Sequence, residues 1–390
     1  MRIGMIAPLE MRVPPAGYGG TELVVSLLTE ELVERGHDVT LFASGDSISR
    51  ATLAPGSERF LHGSGRDSRI LTMLNVTACL ERAGEFDIIH NHTCFEGLAT
   101  AGLVSTPVLT TLHGGLAGDW LLLFKRYRGW YNAISRSALN LLPARERCAG
   151  VIYNGIDHES YTFNPNKRNG KLLFLSRMSR EKGPHLAIAL AKRTGRKLIM
   201  AGNVHSVDAK YFKSEVEPYI DGYLIEYVGE ANQSTKRQLL SEATCLVAPI
   251  IWPEPFGLFM VEAMASGTPV VALSRGSAPE VVNHGVSGFV VATPEEMCHA
   301  IERVHEIDPW DCREHVAQNF SVQTMASNYL AAYERILDDS VVLEQSIFRS
   351  GSPSNRRGYD RWAADRRKTE QGRAGRRLVH GALAETSQGQ

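Results

Sequence analysis

The sequence predicts an α/β protein of two similar halves, each a mainly parallel sheet covered by helices. Three observations carry this expectation. Short apolar runs alternate with helical stripes from the N-terminus onward, the alternation restarts after Ile152–Asp157, and strand–loop–helix units open both stretches, over Met1–Arg35 and Lys171–Thr194. A length of 390 residues fits two domains of ~150 residues with a remainder.

In the first half, Arg2–Ala7 reads as a buried strand and Pro14–Gly20 as a loop. Thr21–Arg35 follows with apolar residues at Leu23, Val24, Leu27, Leu28 and Leu32, the stripe of a helix, and Gly36 ends it. Asp38–Ala43, Asp87–His90 and Val108–Leu112 are the next strands. Asp119–Tyr131 reads as a helix with a Leu/Phe face in the core and a Lys/Arg face in solvent; the alternative is a contact with a membrane or a large acceptor. In the second half, Lys171–Leu175, Lys197–Ala201, Ile225–Val228, Cys245–Pro249 and Pro269–Ala272 are strands, and His185–Thr194 is a helix. Gln323–Leu337 is a helix with one apolar face. The expected divisions are 1–160, 161–322, a helix over 323–345 that packs back toward the first half, and a disordered Arg-rich tail over 346–390. The joint lies in the polar stretch Tyr161–Gly170.

Charge is unevenly spread. The net charge is −1, but from Gln345 onward ten Arg and Lys stand against four Asp and Glu, a local +6 that leaves −7 for residues 1–344. Global charge therefore names no polyanionic partner, and no nucleic acid is expected. The six cysteines form no C-x-x-C pair, which argues against a zinc ribbon and fits a reducing compartment. No apolar leader and no apolar stretch of ~20 residues occurs, so a cytoplasmic setting is expected, with weak contact at the inner membrane face as a further option for the basic tail.

Four segments carry chemistry. In Trp252–Gly267 (WPEPFGLFMVEAMASG), two prolines hold the chain extended and Gly257 releases it into a helix. The helix start at Phe256–Leu258 offers free N–H groups to an anion, whereas Glu254 and Glu262 would repel one. Carboxylates there suit hydroxyls of a sugar or ribose; the alternative is a capping acid and an exposed helical Glu. Ser176–Gly183 follows a strand, where Arg177 and Lys182 could reach a diphosphate, or pair with Glu181 as a solvated loop. Pro14–Glu22 has the glycines of a dinucleotide loop without the third at the required spacing, so a dehydrogenase is disfavoured, and no G-x-x-x-x-G-K-[ST] occurs. His90 and His92 lie on one strand face and His113 precedes Gly114–Gly115; with no third ligand at metal spacing and no D-x-D motif, no metal or other cofactor is expected.

Together these segments resemble the family-4 retaining glycosyltransferases, and among them most the antibiotic-type subgroup. The matching residues are PPAGYGGTELVVSLLTEELVERGHDVTLFA, TTLHGG, IYNGID, FLSRMSREKG, and Glu254-x7-Glu262 in EPFGLFMVEAMASGTPVVA, over roughly residues 1–340. The resemblance implies two facing Rossmann-like domains (GT-B) and transfer of a hexose from a nucleotide-sugar donor, a UDP-sugar favoured, to a saccharide, lipid-linked or small-molecule acceptor. His113 and Glu254 would be the catalytic residues, Arg177, Lys182, Gly19 and Gly20 would meet the donor diphosphate, Phe256, Gly257 and Leu258 the donor sugar, and Glu262 the ribose. The base would lie near Val228–Glu230. The basic tail has no counterpart in the family pattern. Rival readings are a sugar-nucleotide 2-epimerase or phosphorylase of the same fold, and a non-catalytic sugar-nucleotide binder.

Overall fold

The computed structural model describes residues 1–349 apart from 18, 94, 115–117, 128, 143–146 and 167–169. Tail residues 350–390 and Gly115 therefore lie outside the described residues. Two compact units divide the chain at Ile336. The first, Met1–Ile336, contains both sheets.

Strands β1 (Arg2–Ile6), β2 (Asp38–Ser44), β3 (Thr52–Ser57), β4 (Ile88–Asn91), β5 (Val108–Leu112), β6 (Trp130–Ala133) and β7 (Cys148–Val151) form a seven-stranded sheet in the order β3-β2-β1-β4-β5-β6-β7. Strands β8 (Leu172–Leu175), β9 (Leu198–Ala201), β10 (Ile225–Tyr227), β11 (Cys245–Ala248), β12 (Val270–Leu273) and β13 (Gly288–Val291) form a six-stranded sheet in the order β10-β9-β8-β11-β12-β13. All neighbours are parallel; Met5 of β1, for example, faces Leu41 of β2 on one side and His90 of β4 on the other. These are two Rossmann-like domains, each doubly wound. Strand order reverses beside β1 in one sheet and beside β8 in the other, and in such sheets ligands lie outside the carboxyl ends of strands at that point.

The inner strands of each sheet are buried because they are mostly apolar runs flanked by helices with one apolar face. The Gly20–Glu34 helix sets Val24, Val25, Leu28 and Leu32 against Ile3, Met5 and Leu41. In the second domain, Met260, Val261 and Met264 of the Leu258–Ala265 helix join a core with Leu172, Leu246 and Val270.

The last helix spans Val322–Arg349, four residues beyond the expected end of order, because no Gly or Pro interrupts the chain before Gly351. Up to Ile336 it lies in the core of the first domain, through Met325, Ala326, Tyr329, Ala332, Tyr333 and Ile336. A buried polar seam fixes its register. The Thr111 hydroxyl donates to Asn132 Oδ1 (2.7 Å), so it must accept from His90 Nε2 (2.7 Å) and from the Tyr329 hydroxyl (3.0 Å). His90 then carries its proton on Nε2, and its Nδ1 accepts from the Tyr333 hydroxyl (2.7 Å). The chain thus crosses between domains twice, and the crossings touch: Ile156 N–H donates to Phe320 C=O (2.9 Å), and Val322 N–H to Ile156 C=O (3.0 Å).

Three readings of local structure need correction. The segment Asp119–Tyr131 is not one helix: Trp120–Arg126 is helical, and Trp130 already pairs with Leu109 as β6. Its Phe124 is buried, while Leu122 is exposed. Strand β3, TLAPGS, was unexpected because it is polar and contains Pro; it lies at the sheet edge, where fewer ladder bonds are required. Strands β7 and β13 are also additional to the expected set. No helix among the described residues is long and apolar enough to cross a membrane.

Candidate functional site

Loops after β1, β5, β8 and β11 meet around one cavity of about 390 Å³. The ten residues to which the resemblance gives a catalytic or donor-binding role all line it: Gly19, Gly20 and His113 from the first domain, and Arg177, Lys182, Glu254, Phe256, Gly257, Leu258 and Glu262 from the second. Of the segment expected near the base, Glu230 lines the cavity, whereas Val228 and Gly229 are not lining residues.

Two helices begin at this cavity. Gly257 has φ +80°, a left-handed conformation that L side chains adopt poorly, and it turns the extended WPEP segment into the Leu258–Ala265 helix. The N–H groups of Gly257, Leu258 and Phe259 have no acceptor among the described residues. Opposite, Gly19 (φ +148°) starts the Gly20–Glu34 helix; a Cβ there would come within 2.7 Å of Pro15. Gly20 faces the Leu258 side chain, so the two positive helix starts point at shared space.

The charged residues answer the question the sequence left open, how two carboxylates coexist with an anion site. Each is neutralised by a lysine on one oxygen only. Glu254 Oε2 takes Lys182 Nζ and the Trp252 indole N–H (2.8 Å), with the ammonium 5.0 Å from the Trp252 ring centre. Glu262 Oε1 takes Lys236 Nζ (2.6 Å) and the Tyr161 hydroxyl (2.8 Å). Burial and the Glu262 charge push the Tyr161 phenol pKa up, so it remains a donor. The second oxygen of each carboxylate has no protein partner among the described residues, which leaves it able to accept from hydroxyls. Arg177 is not free either: it pairs with Glu181 and lies 3.4 Å from Asp208. With Arg177, Lys182 and Lys236 against Glu230, Glu254 and Glu262, the lining balances three cations with three carboxylates.

His113 stands at the end of β5 with its Nε2 2.8 Å from His92 Nδ1. Burial pushes the His113 pKa down to about 4 and that of His92 well below the ordinary value, so both are neutral near pH 7. Among the described residues, no group of three His, Cys, Asp or Glu side chains could hold a metal ion.

Sequence reasoning missed Lys236, Tyr161, Asn154 and Trp252 as site residues, and it weighed His92 as a metal ligand, not as the partner of His113. Asn154 and Trp252 line the cavity from segments already noticed, IYNGID and WPEP, and Asn154 has a buried Oδ1 without a partner among the described residues. Lys236, 26 residues from Glu262, and Tyr161, 101 residues from it, carry no local signal of that pairing.

Comparison with known proteins agrees with this geometry. Residues 18–160 match the family model described as glycosyltransferase family 4, and residues 157–320 that described as glycosyl transferases group 1. An uncharacterized glycosyltransferase of Methanocaldococcus jannaschii is 26% identical over 80% of this chain and 92% of its own length. The crystal structure of AviGT4, a glycosyltransferase of avilamycin A biosynthesis, superposes with a TM-score of 0.67 at 25% identity, covering 87% of this chain and 98% of that one. Anabaena HepE, solved with UDP and glucose, has the same fold: TM-score 0.67 at 22% identity, over 86% of this chain and all of HepE.

Proposed function

The chain belongs to the family-4 glycosyltransferases with the GT-B fold, and on that premise we propose that it moves a hexose from a UDP-sugar to an acceptor hydroxyl, with retention and without a metal. The observation that carries this reading is the cavity itself: two uncapped helix starts and two basic side chains beside two carboxylates that each keep one oxygen open. Cations and helix starts suit a diphosphate, and open carboxylate oxygens suit sugar and ribose hydroxyls. HepE, bound to UDP and glucose, supports uridine as the base.

In the reaction, the bond from the anomeric carbon to the β-phosphate oxygen breaks and leaves a nucleoside diphosphate. A bond from the acceptor oxygen forms on the same face, and the acceptor proton passes to the departing phosphate. Arg177, Lys182 and the amides of Gly257 and Leu258 meet the charge that develops on the leaving group. Donor binding exchanges the Glu181 and Glu254 partners of these cations for phosphate oxygens, so the ion pairs hold the side chains in place beforehand. Glu254 and the Phe256–Leu258 backbone hold the sugar, Glu262 the ribose, and His113 approaches the sugar from the first domain; Gly19 and Gly20 let the backbone come close to the diphosphate.

Incubation of the full chain with UDP-, GDP- and ADP-sugars, hydroxyl acceptors and EDTA tests this. We expect UDP release with a transferred sugar whose anomeric configuration, read by NMR, matches the donor. Arg177→Ala or Lys182→Ala should lower kcat/KM about 100-fold. Inversion, donor consumption without a transferred product, complete loss of activity in EDTA, or near-full activity of either variant overturns it.

A further inference from the structure

We propose that His92 is a positioning residue that fixes the tautomer of His113 and makes it a hydrogen-bond donor, not a base, at the cavity wall. That the N–H meets a donor sugar rests on the function proposed above; the tautomer does not.

His92 and His113 follow the adjacent parallel strands β4 and β5, so their rings meet. The His92 backbone N–H is tied to Ile6 C=O (2.9 Å), and its ring is almost wholly buried. The Nδ1 edge of that ring meets the Nε2 edge of His113, with ring centres 5.1 Å apart and planes at 29°. His90 lies 4.0 Å away and is itself held at both nitrogens by Tyr333 and Thr111. His92 Nε2 is buried and has no partner among the described residues.

Proton counting then decides between two arrangements. Both rings are neutral, so each has one N–H, and the 2.8 Å contact between His92 Nδ1 and His113 Nε2 needs one proton between them. If His113 donated, the His92 proton would sit on Nε2, a buried N–H without an acceptor, which folded proteins strongly avoid. If His92 donates from Nδ1, only a bare lone pair is left at its Nε2. The second arrangement puts the His113 proton on Nδ1, the nitrogen with no protein partner among the described residues. Histidine in water favours the opposite tautomer, so the hydrogen bond to His92 is what selects this one. His113 can then donate to a sugar hydroxyl or an oxyanion, and it cannot take the acceptor proton. That leaves the acceptor proton to a group other than His113.

Long-range ¹H–¹⁵N correlation on the full chain labelled at histidine reads the tautomer directly, with His113→Asn used for assignment. We expect His113 protonated at Nδ1 in the wild type and shifted to Nε2 in His92→Phe, which keeps ring bulk but cannot donate. His92→Asn, with an amide N–H near the position of Nδ1, should restore the wild-type pattern. In transfer assays His92→Phe should lose about 10- to 100-fold in kcat with KM changed less than threefold, and His92→Asn should recover most of it. A wild-type His113 protonated at Nε2, or a tautomer unmoved by His92→Phe, overturns the proposal. The wild-type spectrum is decisive even if a variant does not fold. It is also decisive if no donor is turned over, which would instead count against the transferase reading.

Discussion

Glu22 illustrates what a single buried side chain contributes beside the Gly19–Gly20 helix start. It lies in the first turn of the Gly20–Glu34 helix, is 6% exposed, and its pKa is pushed up to about 7 by burial, with hydrogen bonds from Met11 and its own backbone acting the other way. A carboxyl whose pKa is higher folded than unfolded binds more protons in the native state, so stability falls as pH rises from about 4.5 to 7 and the loss is complete above that. At about 1.4 kcal/mol per pKa unit the loss approaches ~3 kcal/mol, and the positive helix start offsets part of it. Glu22→Gln should therefore be more stable than wild type by about 1–3 kcal/mol at pH 8 and nearly equal at pH 4.5, in urea melts at both pH values. An equal gain at both would show that ionisation is not the cause.

Among the elements, the start of the Leu258–Ala265 helix carries the most consequence. An alanine at Gly257 must adopt φ near +80°, and its Cβ would lie 2.5 Å from the Met260 methyl and 3.5 Å from Glu254 Cγ. The thioether end can move, so the main effects are backbone strain and re-aimed amides. Gly257→Ala should lose about 1–2 kcal/mol in denaturant melts and raise the donor KM at least tenfold. A stable variant with an unchanged KM would remove the helix start from donor binding. Legibility in the sequence divides along the same physical line. Strands such as β1, β5 and β11 announce themselves as apolar runs, and the site residues sit in short motifs at strand ends. Strand β3 is a strand only because β2 offers it an edge to pair with, and Trp130 leaves the helix before it because β5 captures it. Likewise, Arg177 and Lys182 were legible as cations and Glu181 as a local partner, but the pairing of Lys182 with Glu254 and the lysine on Glu262 depend on tertiary proximity.

For the whole molecule, the site and its support end well before the chain does. The cavity draws on residues from Gly17 to Glu262, and the core of the first domain is completed by Ile336. The two crossings between domains, at Ile156 and at Phe320–Val322, are hydrogen-bonded side by side, so relative motion of the sheets would pivot on one place. Gly155 is confined there, since a Cβ would meet Ser321 C=O at 2.5 Å. Residues 350–390 carry nine Arg or Lys against four Asp or Glu and few aliphatics, a composition that adds little apolar area to any core. A chain ending at Arg349 keeps every lining residue and both crossings. It should match the full chain within about twofold in kcat/KM on a water-soluble acceptor and within about 2 °C in Tm, since 1 kcal/mol moves Tm by only a few degrees in proteins of this size. A tenfold loss of kcat/KM in the shortened chain at unchanged Tm would place the basic segment in the reaction itself.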